Sequence, residues 1–196
     1  MTPSLPQFSA ARLKGYLYRL PLFTRVVISI IFALSLLSIQ TVWNVPKWGA
    51  LTPKDIDLTS MYRTNTFPLV HTSVFHAFFN ILVLTPMLER FEAEYGSLTT
   101  LALFFGQRGI LRMNTSVLGA SIWVFTLLAM EAVKTFRTNP YFTLGTTQIP
   151  TWTTPIVLAL FVSILIPNTS FLGHLCGLVF GYGCKQKTLF LRDIIT

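Results

Sequence analysis

Hydrophobic residues along this chain form six runs that are separated by polar or charged connections. In chain order the apolar runs are residues 25–43, 67–88, 98–111, 116–132, 154–166 and 171–183. A helix that crosses a membrane needs about 20 mostly apolar residues, and several of these runs approach that length. The pattern therefore predicts an all-α fold, a polytopic membrane bundle with a core of six helices.

The third run is unusual because it is short. Leu98 to Leu111 spans about 14 residues, and Arg108 already interrupts it. At 1.5 Å per residue such a helix covers about 21 Å, less than a hydrocarbon core of about 30 Å. We therefore predict an unusually short third helix and leave open whether it spans the membrane.

Composition supports a membrane protein rather than a soluble one. Of the 196 residues, 52% are hydrophobic and only 11% are charged, with a mean hydropathy of +0.60. A soluble domain carries roughly a quarter charged residues, so this chain lacks a surface suited to water. The lipid bilayer is the partner that this composition predicts.

The net charge of +8 is best explained by membrane topology. Basic residues occur in every connecting segment, whereas nucleic-acid binding requires a basic face, so no nucleic-acid partner is expected. If all six runs span, ten of the 15 lysines and arginines lie on the side of the two termini. The positive-inside rule then places both termini in the cytosol. We expect a cytosolic basic segment at 1–24, a transmembrane domain at 25–184 and a short basic cytosolic tail at 185–196.

Polar residues inside the apolar runs are the candidates for chemistry, because such groups are costly in a membrane. His76 and Asn80 are four residues apart and share one helix face. His174, Gly177 and Gly181 also share a face, with the spacing i, i+3 and i+7. The two glycines form a groove that lets a neighbouring helix approach closely.

If that neighbour is the fourth helix, Ser121 is the hydroxyl within reach of His174. A serine hydroxyl becomes a good nucleophile when a base takes its proton, and histidine has a suitable pKa. Ser121 lies about a turn into its predicted helix, near the start, where unpaired backbone N–H groups favour an oxyanion. The competing interpretation is that these polar groups only form hydrogen bonds between helices.

Four motifs carry a resemblance to a known family. HTSVFHAFFN, from His71 to Asn80, resembles an H-x4-H-x3-N pattern, and GAS, from Gly119 to Ser121, resembles the start of G-x-S-G. GHLCGLVFG resembles H-x2-G-x3-G in a last helix, and EAEYGS resembles the link after a second helix. The set resembles the rhomboid family of intramembrane serine proteases. The basic N-terminal segment running into LPLFTR, together with RMNTSVLGAS, is more similar to the fungal Golgi branch.

The resemblance implies a role for each of these residues. Ser121 is then the nucleophile and His174 the general base of a dyad, while His76 and Asn80 line the oxyanion hole. Gly119 allows a tight approach to the substrate. His71 lies about 140° from His76 around a helix, so a structural or interfacial role is at least as well supported as a role in the site. Glu92 is expected to fix a loop rather than to take part in catalysis.

The resemblance also implies the substrate class and the location of the protein. The substrates are transmembrane proteins, and neither a metal nor a cofactor is needed. The expected location is a secretory-pathway membrane, the Golgi membrane in the fungal branch. The oligomeric state is left open.

The chain departs from the family pattern at three places. Ile122 stands where many members have a second glycine, and the first connection lacks a tryptophan–arginine pair. Only 24 residues separate Gly96 from Ser121, so we hypothesise a shortened form: a divergent member, a splice variant or a mispredicted exon. If the third run does not span, His76 and Asn80 are expected to be separated from Ser121 and His174.

Two function classes remain open for this chain. The first is an intramembrane serine protease, and the second is a catalytically impaired relative that binds or chaperones transmembrane clients. Both Ser121 and His174 are present, which favours the enzyme, whereas the short third run favours the impaired relative. A transporter is disfavoured because the runs hold no acidic residue except Glu131, at the end of the fourth.

Overall fold

The computed structural model describes residues 9–52, 56–105, 117–165 and 170–195, with the backbone alone at residue 10 and from residue 184 onward. Its helices are α1 (Ala10–Arg19), α2 (Leu22–Leu37), α3 (Val45–Gly49), α4 (Arg63–Thr66), α5 (Val74–Tyr95), α6 (Ser97–Phe105), α7 (Ser121–Thr138), α8 (Thr154–Leu165) and α9 (Phe171–Ile195). Between α7 and α8, strands β1 (Tyr141–Leu144) and β2 (Thr147–Pro150) form an antiparallel hairpin. The all-α prediction is confirmed apart from this hairpin.

Helix α7 lies at the centre of the bundle, where it packs against α5, α8 and α9. Six consecutive residues of its first two turns, Ile122–Leu127, are buried, which is expected of a helix surrounded by others. Trp123 of α7 packs edge-on against Phe104 of α6, with ring centroids 4.4 Å apart. Phe104 also contacts Phe23 of α2, so aromatic rings link α2, α6 and α7.

Helices α7 and α9 approach most closely at the two glycines of α9. A Cβ atom added to Gly177 would collide with the carbonyl oxygen of Ile122, and one added to Gly181 would collide with that of Thr126. The Thr126 hydroxyl lies 2.8 Å from the Ile122 carbonyl oxygen of its own helix and 3.2 Å from the Gly177 carbonyl oxygen of α9, so its single proton is shared between the two. The absence of side chains at the two glycines therefore permits contact between the two backbones.

The acidic stretch after the second apolar run is helical, and the prediction of a link there was wrong. Helix α5 continues through this stretch to Tyr95, and Gly96, with a φ of +82°, ends it. The sequence ERFEAEY is rich in good helix formers, so polarity alone does not end the helix. Glu92 lies on its buried face and accepts hydrogen bonds from the backbone N–H groups of Phe23 and Thr24 at 2.8 and 2.7 Å.

The same carboxylate also accepts from two hydroxyl groups. Thr24 Oγ1 donates to it at 2.7 Å and Ser97 Oγ at 2.5 Å. Glu92 is only 2% exposed, and it joins the start of α2, the end of α5 and the start of α6. The expected structural role of Glu92 therefore corresponds to a junction of three helices.

Several predicted helix boundaries also require correction. Helix α2 ends at Leu37 rather than at Trp43, and α7 begins at Ser121 rather than near residue 116. Helix α7 extends past the predicted end at Ala132 to Thr138, and α9 extends through the predicted tail to Ile195. The last part of the short third run, residues 106–111, lies outside the described residues.

Among the described residues, one helix is both long and apolar enough to cross a membrane, namely α5. Shorter apolar helical stretches are Leu22–Leu37, Thr151–Leu165 and Phe171–Gly183. Large apolar side chains on α5 and α8 are exposed, among them Phe75, Leu82, Phe161 and Ile164. These exposed side chains suit an apolar environment, and the six-span arrangement stays a prediction.

Candidate active site

The predicted polar residues meet in one cavity between α5, α7, α8 and α9. His76 and Asn80 from α5 line it together with Ser121 from α7 and His174 from α9. Its volume is about 180 Å³, and the remaining lining residues are apolar or aromatic. The separation of His76 and Asn80 from the other two residues, expected if the third run fails to span, does not occur.

Ser121 is the first residue of α7, so the prediction that it lies a turn inside the helix was wrong. The residues before it are tied to the segments that precede α5. Val117 pairs with Leu51 through two backbone hydrogen bonds, and the Gly119 N–H donates to the Phe67 carbonyl at 2.9 Å. These contacts fix the direction in which the chain enters α7 and place the Ser121 side chain at the cavity.

Gly119 has a backbone conformation that disfavours other residues, with a φ of +100°. A Cβ atom at this position would lie 2.9 Å from Cε1 of His76 and 3.4 Å from Cδ2 of His71. Gly119 was predicted to allow close approach of a substrate. In the structure, the groups that lie close to Gly119 are the rings of His76 and His71.

His174 is completely buried in the first turn of α9. Ser170 caps this turn, accepting from the Gly173 N–H through its hydroxyl and from the His174 N–H through its carbonyl, both at 3.1 Å. The imidazole packs against the Phe125 ring, with centroids 4.5 Å apart and planes inclined by 40°. The cap and the aromatic contact together orient the ring toward the cavity.

The two nitrogens of His174 differ in their contacts. Nδ1 lies 3.2 Å from the hydroxyl oxygen of Ser163 on α8. Nε2 is buried and has no hydrogen-bond partner among the described residues, so it is not hydrogen-bonded to Ser121. In ligand-free enzymes, hydrogen bonds between catalytic groups are often long and form only with substrate.

Potential oxyanion donors lie on α5. Asn80 Nδ2 donates to the His76 carbonyl at 2.8 Å, which leaves its second N–H available. His76 Nδ1 lies 3.3 Å from the Thr72 hydroxyl. If Thr72 donates in that contact, Nε2 of His76 carries the proton and is a donor. At the start of α7, the N–H of Ser121 has no carbonyl within the helix to donate to and adds to this set. The N–H groups two and three residues later already donate to the Ala120 carbonyl.

Three further residues make contacts in the site that the sequence did not predict. His71 lies in the loop before α5, where its Nε2 accepts from the Ala120 N–H at 3.2 Å and its ring contacts that of His76. Phe125 stands four residues after Ser121, a spacing that places it on the same helix face. Ser163 places a hydroxyl inside an apolar run, and its spacing from His174 along the sequence does not predict the contact between them.

Among the described residues, no group of three or more His, Cys, Asp or Glu side chains could hold a metal ion.

Comparisons with known proteins give consistent results. Residues 58–187 match the family model described as the Rhomboid domain. Rhomboid-type serine protease 2 of Gibberella zeae is 54% identical, over 93% of this chain and 73% of its own length. Rhomboid-type serine protease B of Aspergillus fumigatus is also 54% identical, over 92% and 71%. Rhomboid-type serine protease 2 of Saccharomyces cerevisiae is 34% identical, over 74% and 60%.

Proposed function

Since the chain belongs to the rhomboid family, we propose that it is an intramembrane protease in which Ser121 is the nucleophile and His174 the general base. The observation that carries the assignment is the cavity lined by both residues. The relatives are named serine proteases. Ser121 begins α7, His174 lies in the first turn of α9, and these two helices pack against each other. The proposed substrates are transmembrane proteins, because an integral membrane enzyme with a buried, largely apolar site has access to such chains.

The proposed reaction begins with proton transfer from Ser121 Oγ to His174 Nε2. The oxygen attacks the carbonyl carbon of the scissile peptide bond, and the carbonyl oxygen becomes an oxyanion. The tetrahedral intermediate collapses when the C–N bond breaks and the amine leaves with the proton held on Nε2. Water then attacks the acyl-enzyme with the same base, releases the acid and regenerates Ser121.

Helix α5 supplies the proposed stabilisation of the oxyanion. The proposed donors are the second N–H of Asn80, Nε2 of His76 in its protonated tautomer and the Ser121 backbone N–H, all from residues that line the cavity. Each donor is held in place before substrate arrives, because His76 and Asn80 are buried and hydrogen-bonded. Loss of one such donor typically lowers kcat by about 10²–10³-fold.

The proposed location is a membrane of the secretory pathway, the Golgi membrane, with both termini in the cytosol. Its support is the resemblance to the fungal branch and the distribution of basic residues. An epitope at each end, probed with protease before and after the vesicles are permeabilised, measures this orientation. Cleavage of either epitope only after permeabilisation of right-side-out Golgi vesicles would contradict it.

The experiment that tests the function compares four forms of the chain in liposomes with a reporter transmembrane substrate. The forms are wild type, Ser121→Ala, His174→Ala and Ser35→Ala, a control in which a buried helical serine of α2 is lost. We expect the first two variants to lose activity by a factor on the order of 10⁴ or more, and the control to retain it. Labelling of Ser121 by a fluorophosphonate gives a second readout that needs no substrate. Equal cleavage by wild type and Ser121→Ala would overturn the proposal.

A further inference from the structure

His174, the buried histidine of the cavity, has a polar partner on α8. Ser163 lies in the last turn of α8, and its Oγ is 3.2 Å from Nδ1 of His174. The same Oγ is 2.7 Å from the carbonyl oxygen of Ala159, one turn earlier in α8. The hydroxyl therefore stands between a ring nitrogen and a backbone carbonyl.

The proton of this hydroxyl can be assigned from its two neighbours. A carbonyl oxygen only accepts hydrogen bonds, so the 2.7 Å contact with Ala159 requires that Ser163 donates there. This donation uses the single hydroxyl proton of Ser163. The contact with His174 is then favourable only if Nδ1 carries a proton and donates it to Oγ.

The remaining nitrogen of a neutral imidazole is unprotonated when Nδ1 carries the proton. In His174 this nitrogen is Nε2, which has no hydrogen-bond partner within the described part of the chain and belongs to a side chain that lines the cavity with Ser121. The hydrogen bonds from His174 Nδ1 to Ser163 and from Ser163 to Ala159 thus leave the lone pair of Nε2 free to accept a proton.

We propose that Ser163 is a positioning residue that holds His174 in the Nδ1–H tautomer, so that Nε2 can accept the proton of Ser121. This inference rests on the proposed function, because it assigns a role toward the same reaction. When Nε2 accepts that proton, the ring becomes positively charged and Nδ1 keeps its own proton, which remains hydrogen-bonded to Ser163. Ser163 neither gains nor loses a proton in this step.

The role differs from that of a carboxylate partner in a catalytic triad. A hydroxyl carries no charge, so it orients the ring and selects the tautomer with little stabilisation of the imidazolium. A neutral hydrogen bond is weaker than one to a charged group. We therefore expect its removal to reduce kcat by roughly tenfold, far less than the removal of His174.

A matched pair of variants separates the hydroxyl from the volume of the side chain. Ser163→Thr keeps a hydroxyl that can bond to Ala159 and His174, whereas Ser163→Val has the same shape without it. Ser35→Ala is the control for the loss of a helical serine, since Ser35 makes the same kind of bond to Ile31 in α2. Cleavage of the reporter substrate in liposomes is measured for all of them, with Ser121→Ala as the inactive reference.

We expect Ser163→Val to have a roughly tenfold lower kcat with an unchanged KM. Ser163→Thr should restore kcat to near the wild-type value, and Ser35→Ala should match wild type. Equal kcat values for Ser163→Val and Ser163→Thr, whether high or low, would overturn the inference, because volume rather than the hydroxyl would then control the rate. Thermal unfolding of each variant shows whether it is folded.

The tautomer itself is measured without any substrate. Nitrogen-15 NMR of histidine-labelled protein in detergent micelles distinguishes a protonated ring nitrogen from an unprotonated one, and His174→Ala identifies the signal. We expect a protonated Nδ1 in wild type and in Ser163→Thr, and loss of this single tautomer in Ser163→Val. A protonated Nε2 in the neutral wild-type ring would refute the assignment.

The two proposals fail in different ways. If Ser121→Ala cleaves as fast as wild type, the proposed function fails, and the NMR result alone decides the role of Ser163 toward His174. If Ser121→Ala is inactive but Ser163→Val keeps the wild-type kcat and tautomer, the protease stands and only this inference fails.

Discussion

At the scale of single residues, Gly119 determines the path of the chain into Ser121, the proposed nucleophile. Its φ of +100° is strained for any residue with a side chain. A Cβ atom there would lie 2.9 Å from His76 Cε1, closer than carbon atoms pack. The rings of His71 and His76 are buried and hydrogen-bonded, so neither can move without disturbing the donors near Ser121.

We therefore predict that Gly119→Ala reduces the cleavage rate by more than tenfold. The backbone strain costs about 1–2 kcal/mol, and the collision displaces His76 from the cavity. Gly145→Ala is the matched control, since Gly145 also has a positive φ of +63° but open space around it. Gly145→Ala should lose a similar amount of stability through backbone strain but keep its cleavage activity. Cleavage rates and thermal unfolding measure the two effects, and equal activity of the two variants would contradict the prediction.

The sequence was informative about residues whose chemistry is rare in a membrane. Ser121, His174, His76 and Asn80 stood out because polar groups in apolar runs are costly, and the structure places all four in one cavity. Ser163 did not stand out, since a single serine in a transmembrane helix commonly bonds to its own backbone. The contact between Ser163 and His174 depends on the angle between α8 and α9, which no local pattern encodes.

At the scale of the elements, α9 packs closely against α7 because two of its residues there are glycines, which have no side chain. Gly177 and Gly181 face backbone carbonyl groups of α7, whereas Gly183 of the same helix has nothing within 4 Å. The contact brings the helix that carries His174 next to the helix that begins with Ser121. The distance between these helix axes thus controls the geometry of the proposed dyad.

We predict that Gly177→Ala destabilises the protein by about 1–3 kcal/mol, the usual cost of overpacking, and reduces cleavage. The new methyl group must displace the Ile122 carbonyl or tilt α9. Gly183→Ala should be neutral or stabilising by up to about 1 kcal/mol, because alanine favours a helix over glycine. Denaturation midpoints in detergent and cleavage rates test this contrast, and an equally stable, active Gly177→Ala variant would exclude it.

The elements were less well predicted at their ends than in their middles. Hydrophobicity located the centres of α2, α5, α7, α8 and α9, because burial and the membrane both select apolar residues. It placed the end of α5 too early, since the charged stretch through Glu92 is helical and partly buried. It also gave no sign of the hairpin formed by Tyr141–Leu144 and Thr147–Pro150, which pairs short strands with exposed or half-exposed side chains.

At the scale of the whole molecule, Glu92 joins parts of the chain that are far apart in sequence. Its carboxylate accepts four hydrogen bonds from Phe23, Thr24 and Ser97. Two of the donors are backbone N–H groups in the first turn of α2, where they have no partner within the helix. A negative charge is also favoured at that end of a helix.

We predict that Glu92→Gln lowers the free energy of unfolding by about 3 kcal/mol, because an amide cannot accept all four bonds and brings its own N–H groups against donors. Glu131→Gln is the control, since Glu131 forms an exposed ion pair with Arg90 that contributes at most about 1 kcal/mol. Denaturant titration of both variants in the same detergent gives the comparison. A Glu92→Gln protein as stable as the control would show that the junction contributes little.

The family and its fungal branch were predicted from the sequence and are confirmed by the comparisons. Recognition depended on the order and spacing of several short motifs from His71 to Gly181, each of which is weak alone. The Golgi location and the orientation of the termini stay predictions, because sorting and insertion depend on the cell as well as on the chain. The shortened-form hypothesis concerns residues 97–120, of which 106–116 lie outside the described residues, and it stays a hypothesis.

The position of the two proposed catalytic helices along the chain has a consequence for biosynthesis. Ser121 begins α7, but His174 lies in α9, so a growing chain carries the nucleophile more than 50 residues before the base. Glycines 177 and 181, which seat α9 against α7, emerge later still. A nascent chain that has inserted α7 but not α9 therefore holds the proposed nucleophile without its proposed base, and we expect proteolytic competence only after α9 has been translated and docked.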